Sequence, residues 1–385
     1  MAAISVIIVS YNVRYYLEQC LRSVAKASVG LDVETIVVDN DSQDDSVGYL
    51  EPLFPQIRFI RAGGNLGFSK ANNLAVRESD GKYLLFLNPD TVIAENALGD
   101  CIRFMDNHPS AGAAGVRMLN RDGSFARESR RAVPTPFVSF CKMSGLCSLF
   151  PKSRIFGRYY LGHLDRNEAG RIDIVSGAYM FVRREAFLTA GGFDEAFFMY
   201  GEDVDLSYRI LKAGYENWYI PVNILHYKGE STNKTSYRYA KVFYDAMLIF
   251  YNKHFSGYSK LFSLVVRSVI TVKTWLSYIK NNFVHRCSAP CGNLIWMYAG
   301  HQEWTGVVAH LTGTPENSLI STRMSLPDAN EPRDYMVYDT SAFSYSEILD
   351  NMSACQGVGR IATFYPGSGI LLTDQEVRID ERRNA

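Results

Sequence analysis

The chain has 385 residues, of which 47% are hydrophobic and 13% aromatic, so it can bury a substantial core and is longer than one domain of roughly 100–200 residues. Its 40 basic and 40 acidic side chains cancel, which argues against a nucleic-acid-binding protein that relies on bulk positive charge. Its seven cysteines include no C-x-x-C pair, which is typical of a reducing compartment such as the cytosol.

The first part of the chain alternates predicted strands with predicted helices. We predict strands at residues 4–10, 33–38, 57–60 and 82–87, and helices at 13–27, within 42–53 and at 68–78. The opening residues MAAISVIIVSYN lack a basic start and a cleavage site, so we interpret them as the first strand and not as a signal peptide. The alternation predicts parallel βαβ units and a doubly wound α/β sheet.

Polar residues follow three of these strands at the point where each strand ends. They are Ser10-Tyr11-Asn12, Asp39-Asn40-Asp41 and Asn88-Pro89-Asp90. Because the carboxyl ends of parallel strands meet at one edge of the sheet, these residues are expected to share a cleft. The alternative is that each is only a turn or helix-capping residue. No G-x-G-x-x-G and no P-loop follows the first strand, so a bound nucleotide would be held through carboxylates and a metal.

The middle of the chain is predicted to contain a helix at 94–108, a strand at 112–119, a long irregular tract at 122–173 and a strand at 174–182. Three arginines of the irregular tract, Arg127, Arg130 and Arg131, could meet a diphosphate or could simply lie in solvent. The small residues at 176–178 are typical of a place where a ligand or another backbone approaches closely.

A second acidic cluster begins a helix predicted after the flexible pair Tyr200-Gly201. Glu202 and Asp203 are placed where a carboxylate can face a ligand, whereas Asp205 is assigned to helix capping and dipole compensation. His226 follows a predicted strand at 218–225, and it is either a satisfied polar residue or, beside two acidic clusters, a metal ligand.

The last third is predicted to contain a helix from about 239 to 250, an amphipathic segment within 258–284, and an appendage at 286–385. The amphipathic segment suits a membrane-surface helix, a helix docked on the main domain, or a dimer contact. It falls short of the roughly 20 apolar residues of a membrane-spanning helix. Strands at 335–339 and 360–365 around a helix at 345–352 predict a small α/β unit of unknown role. We therefore predict domains at 1–245, 246–285 and 286–385.

Taken together, ordered motifs over residues 4–230 resemble family-2 glycosyltransferases of the GT-A fold, in their rhamnosyltransferase-like branch. The motifs are SVIIVSYN at 5–12, VVDNDSQDDS at 37–46, NLGFSKANN at 65–73, LFLNPDT at 85–91, SGAYMFVRREAF at 176–187 and GGFDEAFFMYGEDVDLSYRILKAGY at 191–215. The resemblance implies a mostly parallel sheet flanked by helices. It also implies inverting transfer of a sugar from a dTDP- or UDP-sugar donor.

The resemblance implies a role for each matching residue. Asp203 takes the place of the catalytic base, with Glu202 beside it. Asn88-Pro89-Asp90 occupies the D-x-D position, so that Asp90 and His226 would hold Mg²⁺ or Mn²⁺, and Asn88 leaves fewer charges on the metal than a second aspartate. The implied donor-binding set is Ser10, Tyr11, Asn12, Asp39, Asp41, Asn65, Gly67, Lys70 and Asn88.

The resemblance further implies a saccharide or polyprenyl-linked saccharide as acceptor, in the synthesis of bacterial cell-surface polysaccharide at the inner face of the membrane. An alternative is a non-catalytic protein of the same fold that binds nucleotide sugars or glycans. A nucleotidyltransferase is less consistent with the sequence, because no glycine- and lysine-rich phosphate loop follows the first strand.

Overall fold

The computed structural model describes residues 2–228, 237–258, 295–319, 335–356, 360–373 and 376–380. The predicted amphipathic segment within 258–284 lies almost wholly outside these ranges. No helix in the described ranges is both long and apolar enough to cross a bilayer.

A nine-stranded sheet forms the main part of the molecule. Its strands are β1 Ile4–Ser10, β2 Val33–Asp39, β3 Arg58–Arg61, β4 Tyr83–Leu87, β5 Thr91–Ile93, β6 Ala111–Leu119, β7 Gly170–Ile172, β8 Tyr179–Arg183 and β9 Glu216–His226. They follow the order β3-β2-β1-β4-β8-β6-β9-β5, and β7 also pairs with β9. The strands β3, β2, β1 and β4 are mutually parallel, whereas β8 pairs antiparallel with both β4 and β6.

Helices cover both faces of this sheet. They are α1 Arg14–Ala27, α2 Ser46–Leu50, α3 Phe68–Arg77, α4 Ala97–Asn107, α5 Pro136–Met143, α6 Leu146–Leu149, α7 Arg184–Thr189, α8 Glu202–Lys212 and α9 Tyr237–His254. Strand β1 is buried along its whole length, and successive residues such as Ile7 and Ile8 belong to two different core clusters. Since successive side chains of a strand point to opposite faces, the sheet is covered on both sides, and the expected α/β class is confirmed.

Two details of the middle region differ from the sequence prediction. The predicted irregular tract contains α5 and α6. The first begins where Thr135 Oγ1 accepts a hydrogen bond from the backbone N–H of Val138 at 3.4 Å, with Pro136 in the first turn. The strand predicted from Ile174 begins only at Tyr179, because residues before it bend around the side chain of Asp203.

A second sheet of five strands follows in the C-terminal region. It contains β10 Trp296–Ala299, β11 Tyr335–Asp339, β12 Arg360–Tyr365, β13 Ile370–Leu372 and β14 Val377–Ile379, with helices α10 Thr305–Thr312 and α11 Tyr345–Ala354. The first three strands are parallel and the last two pairings are antiparallel. The expected small α/β appendage is thus present, with its two predicted strands and its helix in place.

The C-terminal unit packs against helix α1 and the β5 edge of the large sheet. Tyr16 donates a hydrogen bond to the carbonyl of Thr373 at 2.9 Å, and Gln19 donates to Thr363 Oγ1 at 2.7 Å. Apolar side chains of both units also form one buried cluster. The appendage therefore shares part of its core with the main domain, while the domain boundaries stay a prediction.

Candidate active site

The predicted strand ends meet at a cleft of about 290 Å³. It lies where β1, β2 and β4 end and where α8 begins. Of the residues proposed from the sequence, the lining of the cleft includes Tyr11, Asn65, Gly67, Asn88, Asp90, Glu202, Asp203 and His226. Asn12, Asp41 and Lys70 are exposed and are not part of this lining, and Ser10 and Asp39 are buried and are not part of it either. Asp90, the adjacent Glu202 and Asp203, and His226 therefore face one space.

Asp90 and His226 come together because β5 pairs antiparallel with the end of β9. Asp90 is buried, and its carbonyl accepts a hydrogen bond from the N–H of Tyr227 at 3.0 Å. Asp90 Oδ1 lies 3.3 Å from His226 Nε2, which also lies 3.2 Å from Asn88 Nδ2. One carboxylate oxygen, one imidazole nitrogen and one side-chain amide thus converge at the end of β4.

This set of donor atoms fits a divalent cation that is shared with a ligand. No group of three or more His, Cys, Asp or Glu side chains in the described ranges is arranged to hold a metal by itself. Mg²⁺ commonly takes only one or two protein carboxylates and completes its coordination with phosphate oxygens and water. His226 Nδ1 is buried and makes no hydrogen bond within the described part of the chain, so the contacts of Nε2 are the ones that orient this ring.

Asp203, which also lines the cleft, is held in place by three hydrogen bonds. Its Oδ2 accepts hydrogen bonds from Arg131 at 2.5 Å and from the backbone N–H of Gly177 at 3.1 Å, and its Oδ1 accepts one from Val204 N–H at 2.8 Å. A Cβ atom at position 177 would lie 3.3 Å from the Asp203 Cβ, so only glycine allows this close approach without displacement. The small residues noted in the sequence therefore make room for the carboxylate.

Arg131 is the positively charged partner that sequence reasoning did not assign to Asp203. Its side chain is 13% exposed, and it also donates to the carbonyl of Val175 at 3.0 Å. Burial alone would lower the pKa of Arg131, but the negative charges of Asp203 and Glu128 outweigh burial and raise it. Arg131 therefore stays charged and neutralises the carboxylate of Asp203.

Glu202 differs from its neighbour in environment. It is buried, and its Oε2 has no hydrogen-bond partner within the described part of the chain. Burial, together with the negative charge of Asp203, raises the pKa of Glu202 to about 8. Near neutral pH, Glu202 is thus largely protonated. Two adjacent carboxyl groups in different environments can take different roles in one reaction.

The backbone before α8 places both carboxyl groups. Tyr200 has φ +68° and Gly201 has φ +81°, so two successive residues adopt the left-handed conformation. Such a conformation is costly for tyrosine and is found where the surrounding structure holds it in place. The turn brings Glu202 and Asp203 to the first positions of the helix, facing the cleft.

At the end of β2, the residue that lines the cleft is Asn40, and the neighbouring Asp39 and Asp41 do not line it. Asn40 donates from Nδ2 to Asn65 Oδ1 at 3.0 Å, and its Oδ1 accepts from Leu66 N–H at 2.8 Å. Asp39 is buried, and its Oδ2 accepts from Ser42 N–H at 3.2 Å. Sequence reasoning named Asn40 only as part of the strand end, although the D-N-D pattern already marked this position.

Asp205 has a larger structural role than the predicted capping. It is fully buried and contacts three side chains of α8 and α9. Arg209 Nε lies 2.7 Å from its Oδ2, while Lys253 Nζ and His254 Nε2 lie 2.9 Å and 2.7 Å from its Oδ1. Burial lowers the pKa of His254 even though Asp205 opposes this. The network fixes α9 against the helix that carries Asp203.

We expect Asp205→Ala to lower the free energy of unfolding by about 3–5 kcal/mol, because it leaves the largely buried guanidinium of Arg209 and the buried imidazole of His254 without their partner. Asp194 provides a matched control, since it pairs with the same Lys253 at 2.6 Å but is 29% exposed. Asp194→Asn should cost less than about 1 kcal/mol. Urea unfolding of both variants measures the difference, and equal losses would contradict the assigned role.

We expect Glu202→Gln to gain stability over the wild type as the pH rises from 5 to 8. The pKa of Glu202 is raised to about 8 from 4.5, so the unfolded chain releases this proton first and the folded wild type loses stability over that range. Glutamine has no such proton. The difference in free energy of unfolding should grow by more than about 1 kcal/mol between these pH values. A difference that does not change with pH would contradict the assigned protonation.

Comparison with known proteins agrees with these features. Residues 5–189 match the model of glycosyl transferase family 2. The N-acetylglucosaminyl-diphospho-decaprenol L-rhamnosyltransferase of Mycobacterium tuberculosis (strain ATCC 25618 / H37Rv) is 28% identical over 265 residues, which span 66% of this chain and 85% of the relative. The rhamnosyltransferase WbbL of Escherichia coli (strain K12) is 29% identical over 176 residues, which span 43% of this chain and 62% of the relative.

A similar solved structure is the mannosyltransferase from Pyrobaculum calidifontis in complex with GDP-Man and Mn²⁺. It is 20% identical, covers 61% of this chain and 59% of its own, and has a TM-score of 0.43. The family match lies on the part of the chain that forms most of the large sheet and the cleft. Residues 5–189 of the chain therefore match glycosyl transferase family 2, and the chain is similar to rhamnosyltransferases of Mycobacterium tuberculosis and Escherichia coli.

Proposed function

We propose that this protein is an inverting glycosyltransferase that moves a sugar from a nucleoside diphosphate donor to a saccharide or polyprenyl-linked saccharide. The observation that carries the proposal is that Asp203 and Asp90 both line one cleft. A base and a site for a diphosphate are the two groups that such a displacement needs. The names of the mycobacterial and E. coli relatives support L-rhamnose as the sugar, and the mycobacterial name supports a lipid-linked acceptor.

Asp203 is suited to the base role by its hydrogen bonds. A carboxylate can accept about four hydrogen bonds, and the structure uses three of them for Arg131, Gly177 and Val204. The remaining acceptor position is available to an acceptor hydroxyl. In the proposed step Asp203 takes the hydroxyl proton, the acceptor oxygen bonds to the anomeric carbon, and the bond from that carbon to the diphosphate oxygen breaks on the other face. Arg131 positions the carboxylate.

Asp90 and His226 would hold Mg²⁺ or Mn²⁺ together with the diphosphate of the donor. When bound, the cation neutralises the negative charge that develops on the leaving diphosphate. We assign Asn40, Asn65 and Gly67 to the nucleotide side, since the amide pair and the backbone around it form that wall of the cleft. A cytoplasmic site of action, at the inner face of the membrane for a lipid-linked acceptor, is part of the proposal.

The proposal is tested by incubating the purified protein with a panel of nucleotide sugars that includes dTDP-rhamnose, with Mg²⁺, Mn²⁺ or EDTA. We expect slow hydrolysis of one donor, which depends on the cation and becomes faster with a matching acceptor. Binding of a donor without any turnover would instead favour the non-catalytic alternative. Turnover that is equally fast in EDTA would remove the metal from the proposal.

A further inference from the structure

Beyond the cleft, the segment from Phe137 to Phe156 exposes an unusual number of large apolar side chains. Helix α5, helix α6 and the loop after them form this surface, which we call the apolar crest. Its exposed members are Phe137, Phe140, Leu149, Phe150, Ile155 and Phe156. Leu149 is 72% exposed and Ile155 is 60% exposed. Six large exposed apolar side chains within 20 residues are typical of a contact with a membrane or another protein.

The crest is an ordered part of the fold. Rings of Phe150 and Phe156 lie 5.7 Å apart, and α5 packs against α6 and against the turn at 158–160. The buried side of α5 is fixed by Ser139, whose hydroxyl lies 2.6 Å from that of Tyr251 on α9. Phe137 and Phe140 are spaced three residues apart, so they share the opposite face of the helix. The apolar crest therefore faces outward from a well-packed part of the fold.

Charge indicates what kind of partner the crest would meet. Residues 129–164 contain no aspartate or glutamate, although the whole chain has 40 acidic and 40 basic residues. The same stretch carries six positively charged residues: Arg130, Arg131, Lys142, Lys152, Arg154 and Arg158. Arg131 forms an ion pair with Asp203, whereas Lys152, Arg154 and Arg158 are exposed beside the crest. Apolar side chains surrounded by cations are complementary to an anionic lipid surface.

A cavity of about 750 Å³ borders the crest and has the same sign of charge. Its walls include Arg127, Lys152, His163 and Arg166, with Asp165 as the acidic member. Burial, together with the positive charges of nearby arginines, lowers the pKa of His163. The cavity therefore offers a positive environment in which a phosphate headgroup can be held.

The crest is also connected to the cleft. Lys142 lies over the ring of Tyr159, with its Nζ 3.7 Å from the ring centre, and Tyr159 lines the cleft. The carbonyl of Tyr159 accepts a hydrogen bond from the N–H of Ala132 at 3.0 Å, next to Arg131. We propose that the apolar crest and its cationic border bind an anionic phospholipid bilayer, so that the mouth of the cleft lies against the membrane surface. The surface is distinct from the amphipathic segment within 258–284.

The test is co-sedimentation of the full chain with vesicles of phosphatidylcholine alone or of phosphatidylcholine with phosphatidylglycerol. We expect binding to the anionic vesicles only, and weaker binding at high salt. Two double variants, Phe150→Ser with Ile155→Ser and Lys152→Glu with Arg154→Glu, should each weaken binding about tenfold or more. Their hydrolysis of a nucleotide sugar should equal that of the wild type, which shows that they fold and keeps this test separate from that of the proposed transfer.

Matched controls are Leu188→Ser, an apolar residue that is 61% exposed on α7, and Arg77→Glu, an exposed cation on α3. Both should bind vesicles like the wild type. Equal vesicle binding by the crest variants would overturn the proposal and place the membrane contact elsewhere in the chain. The proposal would also be overturned if the wild type does not co-sediment with anionic vesicles. A wild-type dimer that the Phe150→Ser, Ile155→Ser variant converts to a monomer would show that a second copy covers the crest.

Discussion

Replacing Asp203 by asparagine is expected to lower the rate of sugar transfer by about a hundredfold to ten-thousandfold, which is the usual contribution of a general base. Asparagine keeps the shape of the side chain, and its one amide oxygen can still accept the hydrogen bonds of Arg131 and Gly177. Its NH2 group replaces the oxygen that accepts from Val204, and it cannot take the proton of the acceptor. Donor affinity should change little, because the proposed cation and nucleotide contacts are made by other residues of the cleft and not by Asp203. The measurements are kcat for transfer and the Kd of the donor.

Two controls make this result specific. Glu185→Gln removes an exposed carboxylate from α7 and should leave kcat unchanged. A thermal melt of Asp203→Asn separates lost chemistry from lost folding, since the variant also weakens the ion pair with Arg131. A variant with normal turnover would remove Asp203 from the base role.

Glu202 provides a second check on the same prediction. The negative charge of Asp203 contributes to the raised pKa of Glu202, so this charge disappears in Asp203→Asn and Glu202 becomes easier to ionise. Any residual transfer by the single variant should therefore fall further in the double variant with Glu202→Gln. Residual activity that is the same in both variants would show that Glu202 does not substitute as a base.

The part of the site that could be predicted from the sequence follows from local rules. The β-branched run of β1 and the apolar run of β4 indicate buried parallel strands, and the ends of such strands meet at one edge. These two rules are sufficient to place Asp90 and Asn88 at the cleft. The first turn of α8 is also predictable from local sequence. Glu202 and Asp203 follow the flexible pair Tyr200-Gly201, and apolar residues at helical spacing come after them.

The features of the site that the sequence did not predict depend on contacts between segments that are far apart in the chain. Arg131 and Asp203 are 72 residues apart, and no local pattern in a tract of arginines and prolines indicates which arginine contacts Asp203. The same holds for Asp205, whose partners on α9, Lys253 and His254, lie 48 and 49 residues away. These contacts make an acidic residue at a helix start part of a buried network. Residues 174–178 resemble a strand by composition, but the approach of the Asp203 side chain to Gly177 decides their course.

Replacing Asp90 by asparagine is expected to weaken donor binding in the presence of Mg²⁺ or Mn²⁺ by about 10-fold to 100-fold, the range seen when a metal site loses a supporting carboxylate. Asp90 supplies the only carboxylate of the set, because position 88 holds an amide and His226 an imidazole. Hard divalent cations prefer oxygen ligands that carry charge. Titration of the donor with the cation and with EDTA measures the effect, and affinity in EDTA should be the same for variant and wild type.

Asn88→Asp is the matched variant with the opposite expected sign. It adds a second carboxylate beside His226 Nε2, now 3.2 Å from the amide nitrogen of Asn88, without changing the size of the side chain. The cation concentration needed for half-maximal transfer should fall in this variant and rise in Asp90→Asn. If both variants keep the wild-type cation dependence, the end of β4 does not hold the metal. A change in Asp90→Asn alone would keep Asp90 as a ligand and place Asn88 outside the coordination shell, with its amide serving to orient His226.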